Sequence, residues 1–215
     1  QNTQRATVFI AASETDANLY YATKFIAPDP FVYLEIKGER ILVMSDLEMD
    51  RAKSQSCVDR VISYSEVEGR AKTQGIAEPG TVEVVHILLR EAGITQILIP
   101  SNFPFGHAVK FQSLGYQLHP KKDPFYEQRV VKTDEEVRCI EAAQRATEQA
   151  VTAAHDMLRQ ASINKDQLWF EGIPLTSERV KKLINVSLME CDCVAQHTIV
   201  AGGEQACDPH NEGSG

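Results

Sequence analysis

A chain of 215 residues with 43% hydrophobic content can hold one large domain or two small ones with real cores, which excludes disorder as its default. With 22 basic against 30 acidic residues and a formal charge of -8, it has no basic field for nucleic acid; its longest basic clusters are the pairs Lys121-Lys122 and Lys181-Lys182. No apolar run approaches the roughly 20 residues of a membrane helix, the start QNTQRATVFIAA has no signal-peptide pattern, and five scattered cysteines (57, 139, 191, 193 and 207) suit reduced thiols, so the expectation is a soluble, cytoplasmic protein.

The first half alternates β-rich runs with helical stretches. Thr7–Ile10 opens as a strand, a polar turn leads into Asp16–Thr23, and Phe31–Ile36 with Ile41–Met44 form a hairpin about Gly38. Ser45–Lys53 (SDLEMDRAK) reads as a solvated helix start. Cys57–Tyr64 and Ile94–Pro100 supply further strands. Between them Val82, Val85, Leu88 and Leu89 recur at helical spacing over Thr81–Ala92, closed by Gly93, and strand after helix is an α/β signal. A helix over Gly106–Leu114 and a strand at Tyr116–His119 follow; Pro120 and Pro124 then interrupt the pattern. The boundary is placed there, giving domains 1–125 and 126–215.

Thr133, with Glu136 three residues later, predicts a capping box at the head of a long helix. Its expected apolar stripe is Val137, Ile140, Ala143, Thr147, Val151, Ala154 and Leu158. A short helix is expected over Asn164–Phe170, stopped by Gly172 and Pro174, another from Thr176 through Glu178–Leu188, and a strand over Cys193–Ala201. No repeat and no glycine-rich phosphate loop occurs.

The chemistry concentrates in Gln196–Ser214, QHTIVAGGEQACDPHNEGS. A stiff Thr198–Ala201 run, a Gly-Gly turn and Asp208-Pro209 would aim His210 at one spot, where it is the candidate catalytic residue; Glu212 is the one later ligand or base. Taken alone, a histidine in so polar a stretch is more often an ordinary exposed turn residue. His197 reads as a structural hydrogen-bonding residue, and His86 and His155 as helix-face residues. Cys191, Cys193, His197, Cys207 and His210 are zinc-competent types at the wrong spacing for a common knuckle, so no metal site is assigned.

Three stretches stand out together: ANLYYATKF at Ala17–Phe25, the bridge RVVKTDEEVRCIEAAQRATEQA at Arg129–Ala150, and Pro209-His210 followed by Gly213 and Gly215. By these the chain resembles, over essentially all its length, the pita-bread metallopeptidase superfamily of Xaa-Pro aminopeptidases, prolidases, creatinases and methionine aminopeptidases, with Ala17–Phe25 similar to an early strand and turn of the prolidase-like amino domain. The resemblance implies an α/β, creatinase-like amino domain with a mixed sheet and flanking helices, then the start of an α+β pita-bread catalytic domain. It further implies hydrolysis of peptide bonds, with proline after the cleaved residue, by a homodimer carrying two divalent metal ions (Mn, Co or Zn). His210 matches a substrate-contacting histidine that helps stabilise the tetrahedral intermediate and is not a ligand. The five metal ligands, two aspartates, one histidine and two glutamates, are implied downstream, so the 215 residues alone are expected to hold no metal and to be inactive.

Where many relatives have a serine and an asparagine before Pro-His, this chain has Glu204-Gln205-Ala206-Cys207-Asp208, and Asp208 could alter which substrate end is tolerated. FPFG at Phe103–Gly106 and Tyr126 could reach the cleft, with core packing the commoner role for such residues. Alternatives within the fold are a creatinase-like amidinohydrolase or a non-catalytic binding homologue; outside it, a free-standing α/β interaction module.

Overall fold

The computed structural model describes residues 5–215, which form two compact units, the first running to Val131 and the second from Lys132. The first is a mixed α/β unit. Its six-stranded sheet has the order β4-β3-β2-β1-β5-β6, built from β1 (Arg5–Ala11), β2 (Phe31–Ile36), β3 (Glu39–Met44), β4 (Arg60–Ser63), β5 (Gln96–Pro100) and β6 (Gln117–Lys121). β2 pairs antiparallel with β1 and β3, while β1–β5, β5–β6 and β3–β4 are parallel, so β2 alone runs against the rest.

Alternation along the strands sorts the core onto two faces. Ala6, Val8 and Ile10 of β1, with Val32, Leu34 and Ile36 of β2, join the buried faces of α3 (Tyr64–Thr73), α4 (Thr81–Glu91) and α5 (Phe105–Ser113). Phe9, Tyr33, Leu42 and Met44 pack instead with Leu19 of α1 (Ala17–Thr23), Ala52 of α2 (Met49–Gln55) and Phe125. Both layers are dry at their centres: Val8, Phe9 and Leu34 are wholly inaccessible. The β2–β3 hairpin falls where the pattern predicts it, and Lys37 (φ 54°) and Gly38 (φ 84°) have the two successive left-handed residues of a type I′ turn. The helix read over Thr81–Ala92 forms, with Val82, Val84, Val85, Ile87, Leu88 and Leu89 buried.

Ala17–Phe25 corrects one expectation: Ala17–Thr23 is helix rather than strand and turn. The buried Asp16 carboxylate caps it, accepting the Asn18 and Leu19 N–H groups at 3.0 and 2.9 Å, and the helix closes on Lys24 in the left-handed region. Aromatic and β-branched composition, which favours strands, is outvoted here by the cap.

The second unit contains α6 (Asp134–Gln160), a small antiparallel sheet of β7 (Ser162–Asn164), β8 (Gln167–Phe170) and β9 (Ile173–Pro174), and α7 (Ser177–Met189). The capping box forms as read: Thr133 Oγ1 accepts the Glu136 N–H at 3.2 Å and Glu136 accepts the Thr133 N–H at 3.0 Å. Of the expected apolar stripe only Ala154 is buried. Burial on α6 follows the alanine ridge Ala146, Ala150 and Ala154, whereas Val137, Ile140, Val151 and Leu158 are 40–54% exposed. Alanine lets packed elements approach α6 closely, and α6 packs on α7 and β8, so residue size rather than hydropathy selects the inward face.

Asn164–Phe170 is likewise not helical. Lys165 (φ 49°) and Asp166 (φ 64°) form a two-residue turn between β7 and β8, and Glu171 with Gly172 (φ 56° and 76°) another between β8 and β9. The strand expected over Cys193–Ala201 is also absent; the segment is irregular, with His197 at φ 54° interrupting any extended run. Among the described residues, no helix is long and apolar enough to cross a membrane.

Candidate functional site

The His210 turn is irregular chain held to α7 by side chains. Gly203–Cys207 makes a short 3-10 turn, after which the Asp208 carboxylate accepts the His210 backbone N–H at 3.0 Å and the Asn211 N–H reaches the Asp208 carbonyl at 3.1 Å. Asn211 Oδ1 then takes the Gly213 N–H at 2.9 Å. Two successive side chain-to-backbone turns therefore fix the chain at and after His210, with Pro209 restricting φ inside the first. Asp208, read from sequence as a departure that alters substrate tolerance, has this structural use.

Gln205 clasps the far side of the turn. Its amide donates to the Ser214 carbonyl at 3.1 Å while its oxygen accepts the Ser214 N–H at 2.8 Å. The segment is then tied to α7: Lys181 Nζ donates to the Gly213 carbonyl at 2.9 Å, the Ser177 N–H to the Gly215 carbonyl at 3.2 Å, and the Gly215 N–H to Glu178 Oε1 at 3.2 Å. Thr198 Oγ1 reaches Asn185 Oδ1 at 2.7 Å, and the Val200 N–H donates to the Glu212 carbonyl at 3.2 Å. The His210 side chain, by contrast, lies exposed.

Gln205, Glu178, Lys181 and Gly213 were not singled out from sequence for these roles. Only Gly213 left a signal, as a glycine after Pro-His. Its φ is +81°, and a Cβ built on it would lie 1.8 Å from the Val200 carbonyl oxygen, so the close passage of the two backbone segments demands glycine.

Hydrogen bonds from Thr176, from its own N–H and from the Gly215 N–H hold the Glu178 carboxyl below its ordinary value. A depressed carboxylate contributes stability above its unfolded value and loses it as the pH falls through the folded one. Acidification from neutrality to below the ordinary carboxylate range is therefore expected to loosen the Ser177–Gly215 tie. Amide exchange at Gly215 in wild type and Glu178→Gln checks this: the variant should lose most of that pH dependence, and an unchanged profile contradicts the assignment.

The remaining sequence candidates stay apart from this turn's hydrogen bonds. His197 is exposed; His86 on α4 has its Nδ1 2.8 Å from the Tyr116 hydroxyl; His155 is an exposed residue of α6. Phe103 is buried in the core of the first unit, Phe105 is 81% exposed, and the Tyr126 ring packs on Phe9 and Phe125. All five cysteines are free thiols. Among the described residues no three His, Cys, Asp or Glu side chains gather as a metal site, so the donors present do not fit a two-metal centre. What the arrangement offers is a rigid turn presenting one imidazole.

No protein-family model and no curated protein matches the chain. Solved structures do. A prolidase from Pyrococcus furiosus superimposes with a TM-score of 0.69 at 18% identity, covering 99% of this chain and 56% of that one. An Xaa-Pro dipeptidase from Bacillus anthracis gives 0.74 at 14% identity over 99% and 52%, and an X-Pro aminopeptidase from Thermotoga maritima 0.69 at 17% over 98% and 54%. The chain thus spans about half the length of each and shares the fold of that half.

Proposed function

We propose that this chain belongs to a metal-dependent peptidase that hydrolyses peptide bonds preceding proline, as an Xaa-Pro aminopeptidase or dipeptidase. The observation that carries the reading is the fold likeness, which extends over 98–99% of the chain in three structures whose names all specify Xaa-Pro or prolidase activity. The Pro209-His210 turn fits within it. A histidine whose backbone is held by these two turns, with its ring exposed, can donate a hydrogen bond to the oxygen that gains charge when a peptide carbonyl is attacked.

His210 would act by orienting and stabilising substrate, and not by holding an ion. Divalent ions, Mn, Co or Zn, would supply water activation from ligands outside the described residues. For the same reason the 215 residues alone are proposed to be inactive. The complete protein is proposed to be a cytoplasmic homodimer.

The test is to assay the full-length gene product on Xaa-Pro dipeptides and longer Xaa-Pro peptides with each of the three metals. Cleavage of the bond before proline is expected. If every such substrate is refractory while another amide is cut, the peptidase assignment fails.

A further inference from the structure

Helix α4 buries one side in the core of the first unit and carries along its margin three polar residues, Glu83, His86 and Arg90, spaced three and four apart so that they share a face. Each ties α4 to a different neighbour. Glu83 pairs with Lys110 of α5, Arg90 donates to Gln74 just past the end of α3, and His86 Nδ1 lies 2.8 Å from the hydroxyl of Tyr116, in the corner between α5 and β6.

The His86 contact has one sound proton arrangement. Tyr116 is only 7% exposed, with its ring set edge-on to Phe111 and to the imidazole, so its hydroxyl has to find an acceptor inside the protein. Two are in reach, His86 Nδ1 at 2.8 Å and the His86 carbonyl oxygen at 3.5 Å. The second is longer than the roughly 2.5–3.0 Å of an ordinary O–H···O bond, and that oxygen already serves the α4 ladder. Tyr116 therefore donates to Nδ1, which leaves the ring proton on Nε2 and the imidazole neutral. Burial pushes the Tyr116 hydroxyl up to about 12, so the tyrosine keeps its proton through the neutral and mildly acidic range.

A proton added to His86 removes that acceptor. Both ring nitrogens become donors, and the Tyr116 hydroxyl proton, now facing an Nδ1–H, is left with the distant carbonyl. The charged groups around the ring do not offset this. Arg90 on the same face repels an imidazolium, Glu83 attracts it but is engaged by Lys110 and the Gly80 N–H, and Arg70 of α3 is engaged by Glu91. Burial first, and Arg90 after it, hold His86 below the ordinary histidine value, with Glu83 pulling the other way. The folded unit thus binds fewer protons here than the unfolded chain, so the contact contributes fully above about pH 6.5 and is lost as the pH falls through the folded value.

We propose that the His86–Tyr116 contact is a proton-operated latch: with a neutral imidazole it pins the corner at residues 114–116 to α4, and protonation frees that corner. Gly115 turns the chain there at φ 90°, and the Gly115 and Tyr116 amides bond back to the end of α5, at the Gln112 and Phe111 carbonyls. The Glu83–Lys110 pair keeps its own hold on α5, since neither partner titrates in the histidine range. The inference concerns the first unit alone and is independent of the peptidase reading.

The test follows the His86 ring by NMR in the 215-residue chain from about pH 8 to about pH 5, together with amide exchange corrected for its intrinsic pH dependence. Expected are the Nε2–H tautomer at neutral pH and a titration below the ordinary histidine value. Protection at Gly115 and Tyr116 should fall about threefold or more over that range, with Val8 and Leu34 unchanged. Tyr116→Phe deletes the stranded proton and keeps the ring, so His86 should titrate closer to its ordinary value. His86→Gln supplies an acceptor that does not titrate, so protection at the corner should no longer depend on pH. Tyr116→Phe removes a single oxygen and remains informative if His86→Gln does not fold. An Nδ1–H tautomer, a titration at or above the ordinary value, no response of that titration to Tyr116→Phe, or corner protection that still falls with acid in His86→Gln would each overturn the proposal.

Discussion

If His210 acts as proposed, replacing it by alanine in the full-length protein is expected to lower kcat about 10²–10³-fold, the usual effect of removing one oxyanion donor. Stability should change by less than about 1 kcal/mol. The separation follows from which parts of the residue the fold uses. The turn needs the His210 backbone N–H, which donates to Asp208, and alanine retains it. The ring is exposed, so its loss removes little packing. Steady-state kinetics on an Xaa-Pro substrate, set beside thermal unfolding of the same variant, separates the two effects. Normal turnover with a lost fold or lost metal would make His210 a structural residue or a ligand instead.

The legible parts of the chain were those where one local signal acts without competition. The Thr133–Glu136 box, the helix over Thr81–Ala92 and the hairpin at Gly38 each depend on residues within a few positions of one another. The misread parts involve a choice between signals. Asn164–Phe170 has no turn glycine, and it becomes a hairpin because Lys165 and Asp166 accept left-handed backbone, a conformation that sequence composition disfavours for lysine. On α6 the larger hydrophobics promised the inner face, but tight packing went to the alanine ridge.

The site divides in the same way. His210 and its proline were visible as a motif, because Asp208, Pro209 and His210 are contiguous in the sequence. The clasp that holds the turn was not: Lys181 lies 32 residues from Gly213, and Glu178 lies 37 from Gly215, separations at which a single sequence carries no pairing signal. The strand expected over Cys193–Ala201 failed for a related reason. Val200 gives its N–H to Glu212, a partner within the same irregular segment, in place of a sheet neighbour.

Gly213→Ala is expected to release that segment from α7. Two costs combine: alanine at φ +81° is in a region where L-residues are disfavoured by about 1–2 kcal/mol, and its methyl overlaps the Val200 carbonyl at 1.8 Å. An overlap with backbone has no rotamer escape, and forcing added carbon into a packed site typically costs about 1–3 kcal/mol. Together these match what the hydrogen bonds to α7 from Gly213, Gly215 and Thr198 return, at about 0.5–1.5 kcal/mol each before ordering entropy is subtracted. The chain should therefore give way at the turn rather than strain through it. Hydrogen exchange at the Val200, Ser214 and Gly215 amides should accelerate on the order of thirtyfold or more, the equivalent of about 2 kcal/mol. Amides of the first unit's sheet, such as Val8 and Leu34, should keep their wild-type rates, since the substitution touches none of that unit's core. Retained protection at Ser214 and Gly215 in the alanine variant would mean that the backbone passage at Val200 is wider than 1.8 Å implies, and that glycine is not required there.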